Sequence, residues 1–388
     1  MRLKQNDLPD KDSKRRRFKK ICSLIKTDPR ALAFLQPKAN ILHLFADKID
    51  YRAAAFLKQE LLARGGDTVV TKHVIDGKTD SSDVLLMATP SQLRSLLEKL
   101  KAMDCWGLKE FRDELSKILM SLKKNSWLIK SPAGHEINLS HDTKLMAIIN
   151  LTPDSFYGPS RTTEKEILIT AEKFLSEGAE ILDLGAESTR PGFTPLPESL
   201  ELERLLPALK TLRAAFPEVF ISVDTYKPGV ARIAANEGAD LINDISGFEF
   251  EEFQNMPEVI AGLKIPYVLS HFRRQENESK NILSEINFYF SDKLKILEEA
   301  GVKRENIILD VGFGFGKGAA ENLELVKNVE SFKIFGLPLL AGHSRKRFTG
   351  KSLGGTLAVT TLLCGRVSLL RVHDVEENLN ALKISKAL

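Results

Sequence analysis

The chain has 388 residues, 43% of them hydrophobic, which is enough to bury a full core and, on length, to form two or three domains. Fifty-six basic residues against 52 acidic ones leave a formal charge of +4, too small an excess to imply a nucleic-acid or membrane partner. Three widely spaced cysteines, Cys22, Cys105 and Cys364, form neither a disulfide framework nor a zinc pattern and point to a reducing cytoplasm. With no signal-peptide pattern and no run of about 18 apolar residues, neither a secreted nor a membrane-spanning protein is expected.

In chain order, the first feature is a basic run, Lys14, Arg15, Arg16, Arg17, Lys19 and Lys20. Without a platform of interleaved aromatic residues for bases to stack on, it reads as a solvated helix face. From residue 41 the pattern predicts a strand at 41–45, a helix at 51–64, short strands near 68–71 and 83–87, and helices at 90–103 and 108–122. Gly65-Gly66 is a natural stop for the first of these helices, since glycine enters the left-handed conformation without steric cost. These elements describe a small α/β domain over residues 1–133 that carries no acid, base, ligand or phosphate-loop constellation. An accessory packing, oligomerisation or partner-binding role is expected of it.

Past Pro132-Ala133-Gly134 the texture changes. Short apolar runs at 144–150, 180–185, 220–224, 240–245, 266–271, 306–311, 338–342 and 368–373 alternate with amphipathic helical stretches. Eight strand–helix units in about 250 residues match a closed (β/α)8 barrel of the TIM type, here over residues 134–388. Strands as uniformly apolar as 145–149 suit a sheet buried on both faces.

The active site of such a barrel lies at the C-terminal ends of its strands. Those ends are Asn150, Asp183, Asp224, Asn243 with Asp244, His271, Asp310, Ser344 with Arg345 and Lys346, and Arg371 with His373. One polar strand end is ordinarily a cap or a loop ion pair, but eight together line a pocket. Asp224, Asn243 and Asp310 offer carboxylate and amide acceptors to a neutral heterocycle with donor edges, such as an amino-pyrimidinone. Arg371 and His373 lie on the last strand, next to Asn150 on the first, and that corner suits a diphosphate. Asn150 could add one oxygen to a magnesium ion bridging it, because magnesium takes few protein ligands and keeps several waters. The run from Gly312 to Lys317 lacks the spacing of a nucleotide loop and reads as a tight turn that brings Phe315 near a flat ring.

Over residues 134–388 these motifs resemble the dihydropteroate synthase family. Asn150-Leu151-Thr152-Pro153-Asp154-Ser155-Phe156 is similar to that family's first loop, and Asp183 to Gly192 to its second. Ser222-Val223-Asp224-Thr225, Ile242-Asn243-Asp244, Leu309-Asp310, Gly342 with Ser344-Arg345-Lys346, and Arg371-Val372-His373-Asp374 follow in the family's order. The resemblance implies a transferase of folate biosynthesis that joins para-aminobenzoate to a dihydropterin methyl diphosphate and releases pyrophosphate. It implies that Asp224, Asn243, Asp310, Lys346, Phe315 and Gly342 hold the pterin, and that Phe156, Thr189, Arg190, Pro191 and Ser344 frame para-aminobenzoate. Asn150, Arg190, Arg371 and His373 would bind the diphosphate, with Mg2+ at Asn150, and Asp310, Lys346, Arg371 and His373 would carry the chemistry. A cytoplasmic homodimer is expected. The chain departs from the family's usual pattern at Val311, Ala186 and Arg347, and at Ser270, where a methionine commonly precedes the histidine. The alternatives are a pterin-dependent methyltransferase barrel, which would not need the Ser-Arg-Lys and Arg-Val-His groups, and a non-catalytic pterin-binding protein.

Overall fold

The computed structural model describes residues 3–5, 11–140, 142–151, 161–187, 195–273, 279 and 281–387. The chain divides into two compact units, Met1–Lys124 with Glu330–Gly336, and Asn125–Val329 with Leu337–Leu388.

The first unit is built on an antiparallel sheet of four strands in the order β1-β2-β4-β3, formed by β1 (Leu3–Gln5), β2 (Leu42–Asp50), β3 (Asp67–Val70) and β4 (Ser81–Ala88). Leu42, Leu44 and Ala46 on β2 and Val84, Leu86 and Ala88 on β4 are buried in alternation, which gives the sheet one apolar face. Helices Tyr51–Leu62, Pro90–Leu100 and Leu108–Ser121 turn buried leucines inward. The first of them stops where Gly65 takes a φ of 77° and the Gly66 N–H donates to the Leu61 carbonyl at 2.9 Å. Strand β2 runs beyond the expected 41–45. Its register shifts between Ala46 and Ile49, where Lys48 has a φ of 50°, and that irregularity hides the strand's second half from a period-two reading. The basic run lies on the helix Lys11–Leu24, where Lys19 and Lys20 are exposed.

The second unit begins with a hairpin, β5 (Trp127–Lys130) and β6 (Glu136–Leu139), followed by eight parallel strands that close into a barrel. These are β7 (Lys144–Asn150), β8 (Ile181–Gly185), β9 (Phe220–Asp224), β10 (Leu241–Asp244), β11 (Tyr267–Ser270), β12 (Ile307–Asp310), β13 (Leu339–Ala341) and β14 (Leu369–Val372). Strand β14 pairs with β7 to complete the ring, with helices between the strands, so the chain has the expected TIM barrel. Among the described residues no helix is long and apolar enough to cross a membrane.

The hairpin was not legible in the sequence, and it places the start of this unit ahead of the expected Gly134. Pro132-Ala133-Gly134 forms the hairpin's turn, with Gly134 at a φ of 94° and its N–H donating to the Ser131 carbonyl at 3.0 Å. Trp127, Ile129, Ile137 and Leu139 of the hairpin join one side chain from every barrel strand, Met146, Ile181, Phe220, Leu241, Val268, Ile308, Leu340 and Leu369, in a single buried cluster. The hairpin therefore seals the N-terminal mouth of the barrel. Each such large apolar side chain contributes about 1.5–3 kcal/mol when fully buried. His135 Nδ1 lies 2.7 Å from the carboxylate of Asp240, which pins the hairpin to the foot of β10. With the floor closed, only the C-terminal mouth remains for a ligand.

Candidate active site

Successive side chains alternate across a strand, so the floor residues identify which later positions also face the interior. Two and four residues beyond the floor come Asp183 on β8, Ser222 and Asp224 on β9, Asn243 on β10, Ser270 on β11, Asp310 on β12, Gly342 after β13, Arg371 and His373 at β14, and Ile148 and Asn150 on β7. Two residues beyond the floor every position but Ile148 and Gly342 is polar; four residues beyond, Asn150, Asp224, Ser344 and His373 are polar, and Gly185, Ile245, Phe272 and Gly312 are not.

Asp183, fully buried, is the hub of one side. It accepts from Ser222 Oγ at 2.5 Å, from Asn243 Nδ2 at 3.3 Å and from Arg371 Nε at 2.6 Å. Arg371 Nη2 donates to Asp224 Oδ2, also at 2.6 Å, so one guanidinium joins carboxylates from two strands. Burial opposes the Arg371 charge, but Asp183 and Asp224 outweigh it and hold its pKa above the usual value. Burial pushes Asp224 up to about 7; Arg371 pulls the other way, and the Asp183 charge adds to the rise. The sequence placed Asp183 at a strand end but gave it no role. The signal was there, an aspartate inside the apolar run Ile181-Leu182-Asp183-Leu184.

Across the barrel, the Asp310 carboxylate is buried and accepts from the Gly312 N–H at 2.9 Å. Gly312 has a φ of 67°, and a Cβ there would lie 2.0 Å from the His271 carbonyl oxygen, so only glycine can make this turn. Lys317 closes the turn from below. It is buried, and its ammonium donates to the carbonyls of Gly312 at 2.6 Å and of His271 and Phe315 at 3.2 Å each. Phe315 is half-buried, and the Lys346 ammonium sits 4.0 Å above its ring centre. Burial raises the Asp310 pKa and lowers that of Lys346 to about 8, each partly offset by the other's charge. A Cβ at Gly342 would lie 3.8 Å from Asp310 Oδ2, so that glycine keeps one side of the carboxylate open. Asp310, Lys346, Phe315 and Gly342 thus lie together on one wall of the barrel mouth. Lys317, which orders that wall, was seen in the sequence only as the end of a glycine run.

The third corner differs in detail from the sequence reading. Arg371 stands in register with Met146, well before Asn150 on β7, and its guanidinium turns toward Asp183 and Asp224. His373 Nδ1 lies 3.0 Å from Ser344 Oγ, and the His373 N–H donates to the same oxygen at 3.3 Å, so Ser344 is tied to the proposed anion corner. Asn150, Gly185 and Asp224 are in register on adjacent strands. A Cβ on Gly185 would lie 3.7 Å from Asp224 Oδ2 and 3.8 Å from Asn150 Oδ1, so the missing side chain leaves a bare step between the two oxygens. Phe156, Thr189, Arg190 and Pro191 lie outside the described residues.

No group of three or more His, Cys, Asp or Glu side chains among the described residues is placed to enclose a metal. A single neutral oxygen from Asn150 beside the bare step still fits magnesium, which is held mostly by substrate phosphates and water. Next to this corner, the buried Lys227 donates to the carboxylates of both Glu187 and Glu201, and Tyr226 Oη donates to Glu187 at 2.9 Å.

The pterin binding enzyme family matches residues 146–373, the span of the barrel strands. A dihydropteroate synthase of Clostridium beijerinckii is 38% identical over 261 residues, covering 64% of this chain and 96% of that protein. A bifunctional dihydropteroate synthase/dihydropteroate reductase of Helicobacter pylori is 33% identical over 353 residues, covering 87% of each chain. Among solved structures, a Xanthomonas albilineans dihydropteroate synthase with 4-aminobenzoic acid superposes with a TM-score of 0.62 at 34% identity, covering 68% of this chain and 98% of that one. The chain therefore belongs to the dihydropteroate synthases, within the pterin-binding enzymes.

Proposed function

We propose that the barrel condenses 6-hydroxymethyl-7,8-dihydropterin diphosphate with para-aminobenzoate, giving 7,8-dihydropteroate and pyrophosphate for folate synthesis, as a cytoplasmic homodimer. The observation that carries this reading is the wall formed by Asp310, Lys346 and Phe315, facing Asp224 and Asn243 above a sealed floor. Asp224, Asn243 and Asp310 receive the donor edge of the pterin, Phe315 packs its face, and the Lys346 ammonium donates to its carbonyl side. Charge-assisted hydrogen bonds of this kind contribute about 1.5–3 kcal/mol each, so two or three fix the ring's orientation.

The diphosphate lies toward Asn150, Arg190, Arg371 and His373. Among the described residues Arg371 uses Nε and one Nη2 hydrogen on carboxylates, which leaves Nη1 to donate to an anion. Asn150 would hold Mg2+, which supplies neutralisation of the leaving diphosphate. Para-aminobenzoate lies against Phe156, Thr189, Arg190, Pro191 and Ser344. Its amine nitrogen attacks the pterin methylene, the carbon–oxygen bond to the diphosphate breaks, and the amine loses a proton. Asp310, when ionised, would stabilise positive charge that develops on the ring.

The test is pyrophosphate release from purified protein supplied with both substrates and magnesium. Release that requires para-aminobenzoate supports the reading. Its absence in folded protein that still binds the pterin would instead fit a passive binder or a methyltransferase barrel.

A further inference from the structure

Glu187 follows β8 and is buried, and groups from two other parts of the chain converge on its carboxylate. From the loop after β9, Tyr226 Oη donates to Oε1 at 2.9 Å and the Lys227 ammonium donates to Oε2. From just before the helix Glu198–Ala215, the Leu196 N–H donates to Oε1 at 3.3 Å. Lys227 is held from its other side by the buried Glu201 of that helix, and Arg204 Nη1 donates to the Ala186 carbonyl at 3.2 Å. A buried ammonium between carboxylates is costly to desolvate, so stability alone is a poor reason for it. Its geometric result is that one carboxylate gathers both ends of residues 188–195, a stretch whose sequence contains Thr189, Arg190 and Pro191. Fixing the ends of a segment removes conformations that would otherwise be given up when a ligand binds to it.

We propose that Glu187 is a positioning residue for the second substrate: it anchors both ends of residues 188–195 so that Thr189, Arg190 and Pro191 meet para-aminobenzoate, and Lys227 fixes Glu187 in place. This rests on the reading of the barrel as a synthase. The pterin groups Asn243, Asp310 and Lys346 lie on other strand ends, so pterin binding does not depend on the anchor. Glu201 separates this role from a purely structural one. Each glutamate supplies one carboxylate to Lys227, so removal of either leaves an ion pair and no isolated buried cation. The hydrogen bond from Leu196 belongs to Glu187.

The experiment is steady-state pyrophosphate release by the full chain, with para-aminobenzoate varied at saturating pterin diphosphate and magnesium. Titration calorimetry with the pterin diphosphate and thermal melting accompany it, for the unaltered chain, Glu187→Ala, Glu201→Ala and Leu196→Pro. Glu187→Ala is expected to raise the KM for para-aminobenzoate about fivefold or more while pterin affinity stays within about twofold. Glu201→Ala is expected to lower the melting temperature to a similar extent and to leave that KM near the unaltered value. Leu196→Pro removes the donated hydrogen and keeps every charge, so it should raise the same KM, and it carries the test if Glu187→Ala does not fold. An unchanged KM in either folded variant overturns the proposal. An equal rise in Glu201→Ala would assign the effect to packing around Lys227 and overturn it, as would a parallel loss of pterin affinity in Glu187→Ala. If the unaltered chain binds the pterin but releases no pyrophosphate on addition of para-aminobenzoate, the synthase reading itself falls, and this proposal with it.

Discussion

At the scale of single residues, the site depends on charges held wholly or partly out of solvent, and their protonation follows from that burial. Lys346 is held near pKa 8 and lies over Phe315, so at neutral pH it presents a proton to any ring placed against that face. Lys346→Ala is expected to lower turnover at least tenfold, about 1.4 kcal/mol of transition-state stabilisation or more, read as kcat/KM from pyrophosphate release. Near-normal turnover in the folded variant would remove Lys346 from the machinery. Asp224 offers a test that needs no substrate. Its folded pKa of about 7 lies above that of a carboxyl in the unfolded chain, so the folded state binds this proton more tightly. The stability it contributes is full at acid pH, below the unfolded pKa, and is lost as pH rises through about 7. Asparagine cannot titrate, so the stability of the unaltered chain relative to Asp224→Asn should fall between pH 4 and pH 7 in urea unfolding. A difference that does not change with pH would show that Arg371 holds Asp224 ionised throughout.

At the scale of elements, the hairpin Trp127–Leu139 decides which mouth of the barrel can serve a ligand. Trp127 is 8% exposed and packs with residues from the foot of the barrel strands. Trp127→Ala should cost about 3–5 kcal/mol of stability, as large aromatic truncations in cores do. Denaturant unfolding would measure this, and a loss below about 1 kcal/mol would mean the hairpin is a loose cover. Pterin affinity in the folded variant should change little, because the floor and the polar layer are separated along the strands. The turn from Gly312 to Lys317 shows the same division of labour at the other mouth. There a left-handed glycine and a buried ammonium shape a loop whose one half-buried phenylalanine reaches the ligand wall.

At the scale of the whole molecule, the boundary between units follows from the hairpin. A chain beginning at Asn125 keeps both hairpin strands, whereas one beginning at Gly134 loses β5 and with it Trp127 and Ile129 from the floor. The longer chain is expected to melt at the higher temperature and to remain soluble when the shorter one aggregates, because the shorter exposes an apolar floor. Equal melting temperatures would show that the barrel closes without the hairpin.

The sequence by itself determined the barrel, because eight buried parallel strands must be written as eight apolar runs and their ends are where polarity is tolerated. It also placed Asp224, Asn243, Asp310 and Lys346 at those ends, as polar groups that the closed barrel gathers at one mouth. It did not contain the hairpin floor, whose short strands carry weak periodicity and read as a linker around Pro132. Nor could it show that Asp183 and Asp224 share Arg371, or that Lys317 reaches the His271 carbonyl. Those are contacts between residues far apart in the chain. Local pattern fixes which face of a strand a side chain occupies, but only closure of the ring decides which strands' side chains meet inside it.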